Sequence, residues 1–265
     1  MKERTKLSII LETKNLTKYF GGLQALRSID FQVKKGEIRA LIGPNGAGKT
    51  TFLNVLTGLY PPSGGDVQLK GVSILGLKPH SITQRGIART FQAIRLFGEM
   101  SVLENVMIAH HCRTKEGILS TLLRTEASKK EEKMIQERAL ETLKAVGLDE
   151  KKGQVAKSLP YGEQRLLEMA RALSTEPDLI LLDEPSAGMN RKEATWLMER
   201  IENIRTQGIT IILVEHNMRL VMNISHRVTV LDFGEKIAEG TPEEIKNNSK
   251  VIEAYLGKKG DHART

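Results

Sequence analysis

The feature that most constrains the fold is a glycine-rich segment, Gly43–Thr50, with the sequence Gly-Pro-Asn-Gly-Ala-Gly-Lys-Thr. It follows the mainly apolar run Ile38–Ile42, which is typical of a buried strand, and precedes the helix-like run Thr51–Leu56. Glycines let the backbone N–H groups of such a loop converge on an anion, and the positive end of the next helix points to the same place. This order of strand, loop and helix predicts an α/β core that binds the phosphates of a nucleotide.

The loop residues have separate predicted roles. Lys49 reaches the terminal phosphates, and the Thr50 hydroxyl coordinates Mg²⁺. A chance match is the alternative, and the flanking strand and helix disfavour it. The residues here that we expect to contact the nucleotide are Gly43, Pro44, Asn45, Gly46, Ala47, Gly48, Lys49, Thr50 and Thr51.

Composition excludes several classes of protein. The chain has 265 residues, 40% hydrophobic and 27% charged, which suits one large α/β domain or a core with a smaller inserted subdomain. No apolar run is long enough to span a bilayer, and the charged first residues do not predict a secretory signal. The single cysteine, Cys112, excludes an intrachain disulfide and a multi-cysteine zinc site.

The net charge of +8 would suit a nucleic-acid partner, but two observations argue against one. Acidic residues are interleaved with the basic ones, and only 4% of residues are aromatic, so a stacking platform for single strands has little material. We therefore expect no nucleic acid to bind.

Apolar runs predict the strands and helices. Ser8–Leu16 and Ile29–Val33 have the alternation of strands. Leu179–Leu182 and Gly208–Val214 are unbroken apolar runs, typical of parallel strands that are buried on both faces. Glu126–Val146, rich in Glu, Lys, Ala and Leu, predicts a long helix in a solvated helical insertion.

A second chemical signal is the pair of acids that ends an apolar strand, Asp183 and Glu184. A carboxylate at this position lies beside the Mg²⁺ of a phosphate-loop enzyme, so Asp183 is expected to hold the ion. Glu184 is suited to polarise the attacking water. The alternative is that both acids only end a buried strand in a soluble turn.

A third signal is a helix that starts within Ser158–Arg165, with Pro160 and Gly162 in its first turn. A glycine-containing helix start can bind an anion. It can also be an ordinary helix start with proline in the first turn. Its place just before the Asp183 strand favours the anion site.

Together these segments resemble the nucleotide-binding subunits of ABC transporters over nearly the whole chain. The matching motifs are, in the family's order, an adenine-stacking aromatic at Phe20, the Walker A loop Gly43–Thr50, the Q-loop glutamine Gln92, the signature at Leu159–Glu163, Walker B at Leu179–Glu184, the D-loop Ser186–Asn190 and the switch histidine His216. Taken alone, Gln92 would be a surface amide, His216 a structural histidine and Phe20 a core residue. Tyr19 is an alternative to Phe20 as the aromatic platform.

The resemblance implies a fold and its outline. The fold is a P-loop NTPase core with a mostly parallel sheet, an N-terminal antiparallel β region and an inserted α-helical subdomain. Residues 1–265 would form one ABC ATPase domain. Its core would comprise residues 1–92 and 160–235, the helical subdomain residues 93–159, and the C-terminal segment residues 236–265.

The resemblance also implies ATP hydrolysis, with ATP and Mg²⁺ bound and two cassettes closing over two ATP molecules. Catalysis would rest on Glu184, His216 and Lys49, and Mg²⁺ would be held by Thr50, Gln92 and Asp183. The signature residues that would contact the ATP of the facing cassette are Pro160, Tyr161, Gly162 and Glu163. Two residues depart from the family pattern: Pro160 replaces a serine whose hydroxyl reaches the γ-phosphate, and Asn190 stands where an aspartate is common.

Within the family, the chain is similar to the ATPases for branched-chain amino acid uptake. This similarity rests on Tyr161, the Glu126–Val146 insertion, Val214–Met218 and the end Ile252–Gly257. It implies transmembrane permease subunits, a second ATPase subunit in a homo- or heterodimer, and indirectly a substrate-binding protein. The expected location is the cytoplasmic side of the cell membrane.

Other activities fit the sequence less well, among them a nucleotide-gated scaffold without catalysis, which the intact Lys49, Asp183 and Glu184 disfavour. Related ATPases that drive lipopolysaccharide export share much of this pattern. Soluble ABC proteins that act on ribosomes or DNA usually carry two cassettes or a long coiled coil, and the chain shows neither pattern. A GTPase is disfavoured because the sequence lacks an Asn-Lys-x-Asp motif.

Overall fold

The computed structural model describes residues 8–110, 112 and 126–256. The chain forms two compact units, one made of Met1–Ile82 with Arg205–Thr265 and the other of Thr83–Ile204.

The predicted helical subdomain, residues 93–159, lies in the second unit. Residues 111 and 113–125 of that prediction lie outside the described part, as do residues 257–265 of the predicted C-terminal segment. The predicted outline of core, subdomain and C-terminal segment stays a prediction.

Ten strands and nine α-helices occur in the described residues. The strands are β1 (Ile9–Phe20), β2 (Leu23–Lys34), β3 (Ile38–Ile42), β4 (Gly64–Leu69), β5 (Val72–Ser73), β6 (Ile87–Arg89), β7 (Leu179–Asp183), β8 (Thr210–Val214), β9 (Arg227–Asp232) and β10 (Glu235–Gly240). The helices are α1 (Lys49–Leu56), α2 (Pro79–Gln84), α3 (Val102–His110), α4 (Glu126–Val146), α5 (Tyr161–Leu173), α6 (Arg191–Thr206), α7 (Met218–Ile224), α8 (Pro242–Lys246) and α9 (Ser249–Leu256).

The first unit contains an antiparallel sheet of four strands in the order β2-β1-β4-β5. Along β2, the buried residues Ile29, Phe31 and Val33 alternate with exposed ones, as expected of a sheet with one solvated face. The antiparallel region expected at the N-terminal side is therefore confirmed. Strands β1 and β2 are longer than the apolar runs Ser8–Leu16 and Ile29–Val33 predict, because their backbone pairing continues through polar residues to Phe20 and Leu23 at the turn.

The first unit also contains the strand that leads into the glycine loop. This strand, β3, pairs in parallel with both β8 and β9, and β10 pairs antiparallel with β9. Every residue of β3 and β8 is buried. For β8, this agrees with the prediction that Gly208–Val214 is a parallel strand covered on both faces. This arrangement places the end of β3, and hence the loop, at the carboxyl edge of parallel strands.

In the second unit, β6 and β7 form a parallel pair, and all of β7 is buried. Helices α3, α4 and α5 pack on one another. The predicted range of α4 agrees with the structure, and its buried residues, Ile135, Ala139, Leu143 and Val146, recur at helical spacing along one face. The end of β7 carries the paired acids Asp183 and Glu184.

None of the helices in the described ranges has the length and apolarity required to cross a membrane.

Candidate active site

The glycine loop adopts a backbone that side chains would obstruct. Gly43 has φ 152°, and a Cβ at this residue would lie 2.1 Å from the carbonyl oxygen of Leu231. Gly48 has φ 100°, and a Cβ there would lie 2.7 Å from the carbonyl oxygen of Ala25. Both glycines are therefore required by close backbone packing as well as by their dihedral angles.

The loop ends at Lys49, whose buried ammonium lies at the start of a helix. Lys49 is buried, and its Nζ donates to the carbonyl oxygens of Gly43 at 2.7 Å and Pro44 at 2.9 Å. Helix α1 begins at Lys49, and its N-cap residue, Gly48, provides no side-chain hydrogen bond. The start of this helix and the Lys49 ammonium lie together, and this donor set fits a triphosphate.

Thr50 and Thr51 follow on the first turn of α1, where Thr50 is exposed and Thr51 is half-buried. Asn45 and Gly46 are exposed on the loop, Pro44 is half-buried and Ala47 is buried. The predicted phosphate-contacting residues thus lie together in the first unit.

Phe20, the predicted adenine platform, lies at the end of β1 and is 41% exposed, so it is not a core residue. Its ring meets the Tyr60 ring edge to face, with centroids 5.3 Å apart. Tyr19, the alternative platform, is exposed as well.

His216 follows β8 and is exposed. The buried acid that precedes it, Glu215, fixes its backbone. The carboxylate of Glu215, only 2% exposed, accepts hydrogen bonds from the backbone N–H groups of His216 and Asn217 at 3.1 and 3.2 Å. The Asn217 side chain in turn caps α7 by accepting from the N–H of Leu220. These hydrogen bonds fix the backbone of His216 at the end of the strand.

A tyrosine on the last helix also touches the loop. Tyr255 lies on α9, and burial raises the pKa of its phenol, while a hydrogen bond with the backbone of Gly43 opposes that rise. The sequence offered no signal for this contact, because the two residues are far apart in the chain.

In the second unit, the acid predicted to hold Mg²⁺ is buried and paired. Asp183 is 4% exposed, and its Oδ2 lies 2.9 Å from Nη2 of Arg89. The backbone N–H of Asp183 donates to the Thr90 hydroxyl at 3.3 Å. Arg89 and Thr90 therefore hold the carboxylate in a fixed orientation, a role that was not predicted.

Two predicted site residues meet directly. The Gln92 side-chain amide donates to Oε2 of Glu184 at 2.8 Å. Glu184 has φ 49°, a left-handed conformation that costs a residue other than glycine about 1–3 kcal/mol. Such strain concentrates at functional positions, which supports a chemical role for this residue.

The signature region forms the first turn of α5. Pro160 is its N-cap, and the Pro160 carbonyl accepts from the N–H groups of Glu163 and Gln164 at 3.0 Å each. Tyr161 is exposed and Gly162 is buried. The Glu163 carboxylate accepts from Lys151 Nζ at 2.5 and 2.6 Å, so its negative charge is balanced at the helix start.

Arg165 ties the signature to the Q-loop, and sequence reasoning missed it. Its buried guanidinium donates to the carbonyl oxygens of Phe91, at 2.9 Å, and of Gln92. It also donates to the Tyr161 hydroxyl at 2.8 Å. Arg165 could have been found from the sequence, because it is a charged residue on the apolar face of an amphipathic helix.

The same guanidinium borders a buried acid. Burial raises the pKa of Glu168, while a hydrogen bond from the backbone N–H of Arg95 and the charge of Arg165 act in the opposite direction. This acid and the arginines near it lie behind the Q-loop, in the second unit.

Comparisons with known proteins identify the family of the chain. The sequence profile of the ABC transporter family matches residues 26–187, and that of the branched-chain amino acid ATP-binding cassette transporter matches residues 235–261. The chain is 46% identical over 249 residues to the high-affinity branched-chain amino acid transport ATP-binding protein LivG of Salmonella typhimurium, covering 94% of this chain and 98% of that protein. It is 44% identical, with the same coverage, to the protein BraF of Pseudomonas aeruginosa, which has the same description.

Solved structures extend the comparison to the fold. A crystal structure of the ADP conformation of an ATP-binding cassette of an ABC transporter superposes with a TM-score of 0.83 at 35% identity, covering 95% of this chain and all of that one. A dimeric post-hydrolysis cassette bound to ADP and phosphate has a TM-score of 0.74 at 26% identity, covering 88% of this chain and 99% of that one. The α/β fold predicted from the motifs is confirmed. The chain belongs to the ATP-binding cassettes of ABC transporters, in the branch that LivG and BraF represent.

Proposed function

We propose that this chain binds ATP with Mg²⁺ and hydrolyses it to energise an importer of branched-chain amino acids. The observation that carries the proposal is the phosphate loop, in which Lys49 is buried and an uncapped helix begins. LivG and BraF, similar along 94% of the chain, are described as ATP-binding proteins for that transport. The C-terminal match to a branched-chain amino acid profile favours import over lipopolysaccharide export.

Binding would begin with the loop. Lys49 would transfer its hydrogen bonds from the loop carbonyls to the terminal phosphates, and the first N–H groups of α1 would complete the phosphate cradle. Phe20 would stack on the base. These residues position the γ-phosphate for attack.

Thr50, Asp183 and Gln92 would hold the metal, since hydroxyl, carboxylate and amide oxygens are the donors that Mg²⁺ accepts. No group of three or more His, Cys, Asp or Glu residues suited to a metal ion occurs in the described ranges. When bound, Mg²⁺ neutralises charge on the phosphates.

Glu184 would act on the water. Its carboxylate orients the water for in-line attack on the γ-phosphorus and takes the proton, while the bond from that phosphorus to the bridging oxygen breaks and ADP keeps the electron pair. His216 and Lys49 stabilise the charge that develops on the γ-phosphoryl oxygens. Gln92 would position this carboxylate through the hydrogen bond that it donates in the structure.

Membership of the family implies permease partners and dimerisation. We propose that the second cassette is a sister ATPase, that each ATP lies against the signature turn of the facing chain, and that a substrate-binding protein supplies the amino acid. The resemblance to a dimeric cassette bound to ADP and phosphate supports the paired arrangement. The assembly would place this chain on the cytoplasmic side of the membrane.

The test is Glu184→Gln, which keeps the size of the side chain and one acceptor oxygen but removes the base. We expect the variant to bind ATP as the unchanged chain does and to hydrolyse it more slowly by about 10²-fold or more. Phosphate release and fluorescent-nucleotide binding measure the two properties. Turnover at the rate of the unchanged chain would exclude the role of Glu184, and leucine uptake by proteoliposomes of the complete system tests the substrate.

A further inference from the structure

The predicted base platform is one member of an exposed aromatic pair. Phe20 and Tyr60 are 41% and 40% exposed, and their rings meet with centroids 5.3 Å apart and planes at 81°. Edge-to-face geometry is the favoured arrangement of two aromatic rings, so each ring fixes the orientation of the other. Two large aromatic side chains that hold each other in solvent form a preformed surface for a flat ligand.

A lysine supports both rings. The Nζ of Lys18 lies 5.0 Å from the Phe20 centroid and 5.9 Å from the Tyr60 centroid, distances at which a cation is attracted to a ring face. The same Nζ donates to the carbonyl oxygen of Pro61 at 2.7 Å. Lys18 and Phe20 are two residues apart on β1, so one strand carries both the cation and the ring that it contacts.

The segment that carries Tyr60 is tied to the phosphate-loop helix. The backbone N–H groups of Leu59 and Tyr60 donate to the carbonyl oxygen of Asn54, on α1, at 2.9 and 3.2 Å. Further along, the hydroxyl of Ser63 accepts from the N–H of Tyr19 at 3.0 Å. Hydrogen bonds therefore link the segment after α1 to the helix on one side and to β1 on the other.

We infer that Tyr60 and Lys18 are positioning residues of a purine-base subsite, holding the Phe20 ring at a fixed place relative to the phosphate loop. The inference rests on the proposed function and adds residues to it. A nucleoside triphosphate is bound through its base and through its phosphates. Because the Phe20 ring is already fixed relative to α1, it can stack on the base without first becoming ordered. Preorganisation of this kind strengthens binding because less freedom is lost on association.

The test separates the base from the phosphates. Equilibrium dissociation constants for Mg-ATP and for inorganic tripolyphosphate are measured with the unchanged chain and with Tyr60→Ala, Tyr60→Phe and Lys18→Met. Leu59→Ala is the matched control, since Leu59 is the neighbouring residue and is 44% exposed.

Loss of one aromatic contact should weaken ATP binding by about 3- to 10-fold in Tyr60→Ala. Loss of the cation should weaken it by about 2- to 5-fold in Lys18→Met. Tripolyphosphate should bind all variants within about 2-fold of the unchanged chain, because it has no base to stack. Tyr60→Phe, which keeps the ring, and Leu59→Ala should bind both ligands normally.

Two results would overturn the inference. Unchanged ATP affinity in Tyr60→Ala and Lys18→Met would show that neither residue positions the base. An equal loss for ATP and tripolyphosphate would show that Tyr60 only supports the loop. Failure of the unchanged chain to bind either ligand would instead refute the proposed function, and the inference with it.

Discussion

The two loop glycines Gly46 and Gly48 allow a sharp test of how the phosphate loop is built. Both have positive φ, 81° and 100°. A Cβ on Gly46 would meet no atom within 4 Å, whereas a Cβ on Gly48 would lie 2.7 Å from the Ala25 carbonyl oxygen and 3.1 Å from Cδ2 of Leu26. Alanine at either position therefore has a conformational cost, and alanine at Gly48 also has a cost of steric overlap with β2.

The shared cost is conformational, since a left-handed backbone costs an L-residue about 1–2 kcal/mol. The second cost arises because the Ala25 carbonyl belongs to β2 and cannot rotate away, and forced overpacking of this kind costs about 1–3 kcal/mol. Gly46→Ala should thus lower the free energy of unfolding by about 1–2 kcal/mol, and Gly48→Ala by about 2–5 kcal/mol. The difference between the two variants isolates the contact with β2.

Urea unfolding without nucleotide, followed by circular dichroism, measures both free energies. In thermal unfolding, each kcal/mol corresponds to a fall of about 2–4 °C in Tm for a chain of this size. Equal destabilisation by the two alanines would refute the reasoning, because it would mean that the approach of β2 to Gly48 adds nothing to the conformational cost. A more stable Gly48→Ala would refute the conformational cost as well.

The remaining predictions concern the signature region. Pro160→Ser should leave the fold intact and should not lower ATPase activity, because Pro160 contributes only its carbonyl to the helix start and serine restores the family hydroxyl. Circular dichroism tests the fold and phosphate release tests the activity. A large loss of activity would contradict the prediction. Arg165→Lys should keep the charge but lose most of the hydrogen bonds to Phe91, Gln92 and Tyr161, since a single ammonium cannot replace the forked guanidinium. Amide hydrogen exchange should then rise at Arg95, whose N–H donates to the Glu168 carboxylate beside Arg165, and ATPase activity should fall. Protection that stays unchanged at Arg95 would argue against the link.

Local patterns predicted the elements that carry the chemistry. The glycine loop, the strand that ends in Asp183 and the long helix Glu126–Val146 each have a signal contained within a few turns or one strand. The strand β10, Glu235–Gly240, was not predicted, because charged residues fill half of its positions and its conformation depends on pairing with β9.

Long-range pairs could not be predicted from one sequence. Arg89 and Asp183 are separated by 94 residues, and their ion pair depends on the parallel pairing of β6 with β7. Arg165 likewise reaches Phe91 across 74 residues. Local motifs and family resemblance together assigned the residues expected to contact ATP and Mg²⁺, whereas these supporting arginines emerged only once the tertiary structure was known.

The left-handed backbone of Glu184 has a consequence for how such a cassette evolves and is engineered. Glycine at this position would relieve the backbone and favour the folded state, yet it would remove the carboxylate. Selection for a stable fold and selection for ATPase activity therefore favour different residues at this position. A screen that selects only for thermal stability should enrich glycine here and yield cassettes that no longer hydrolyse ATP.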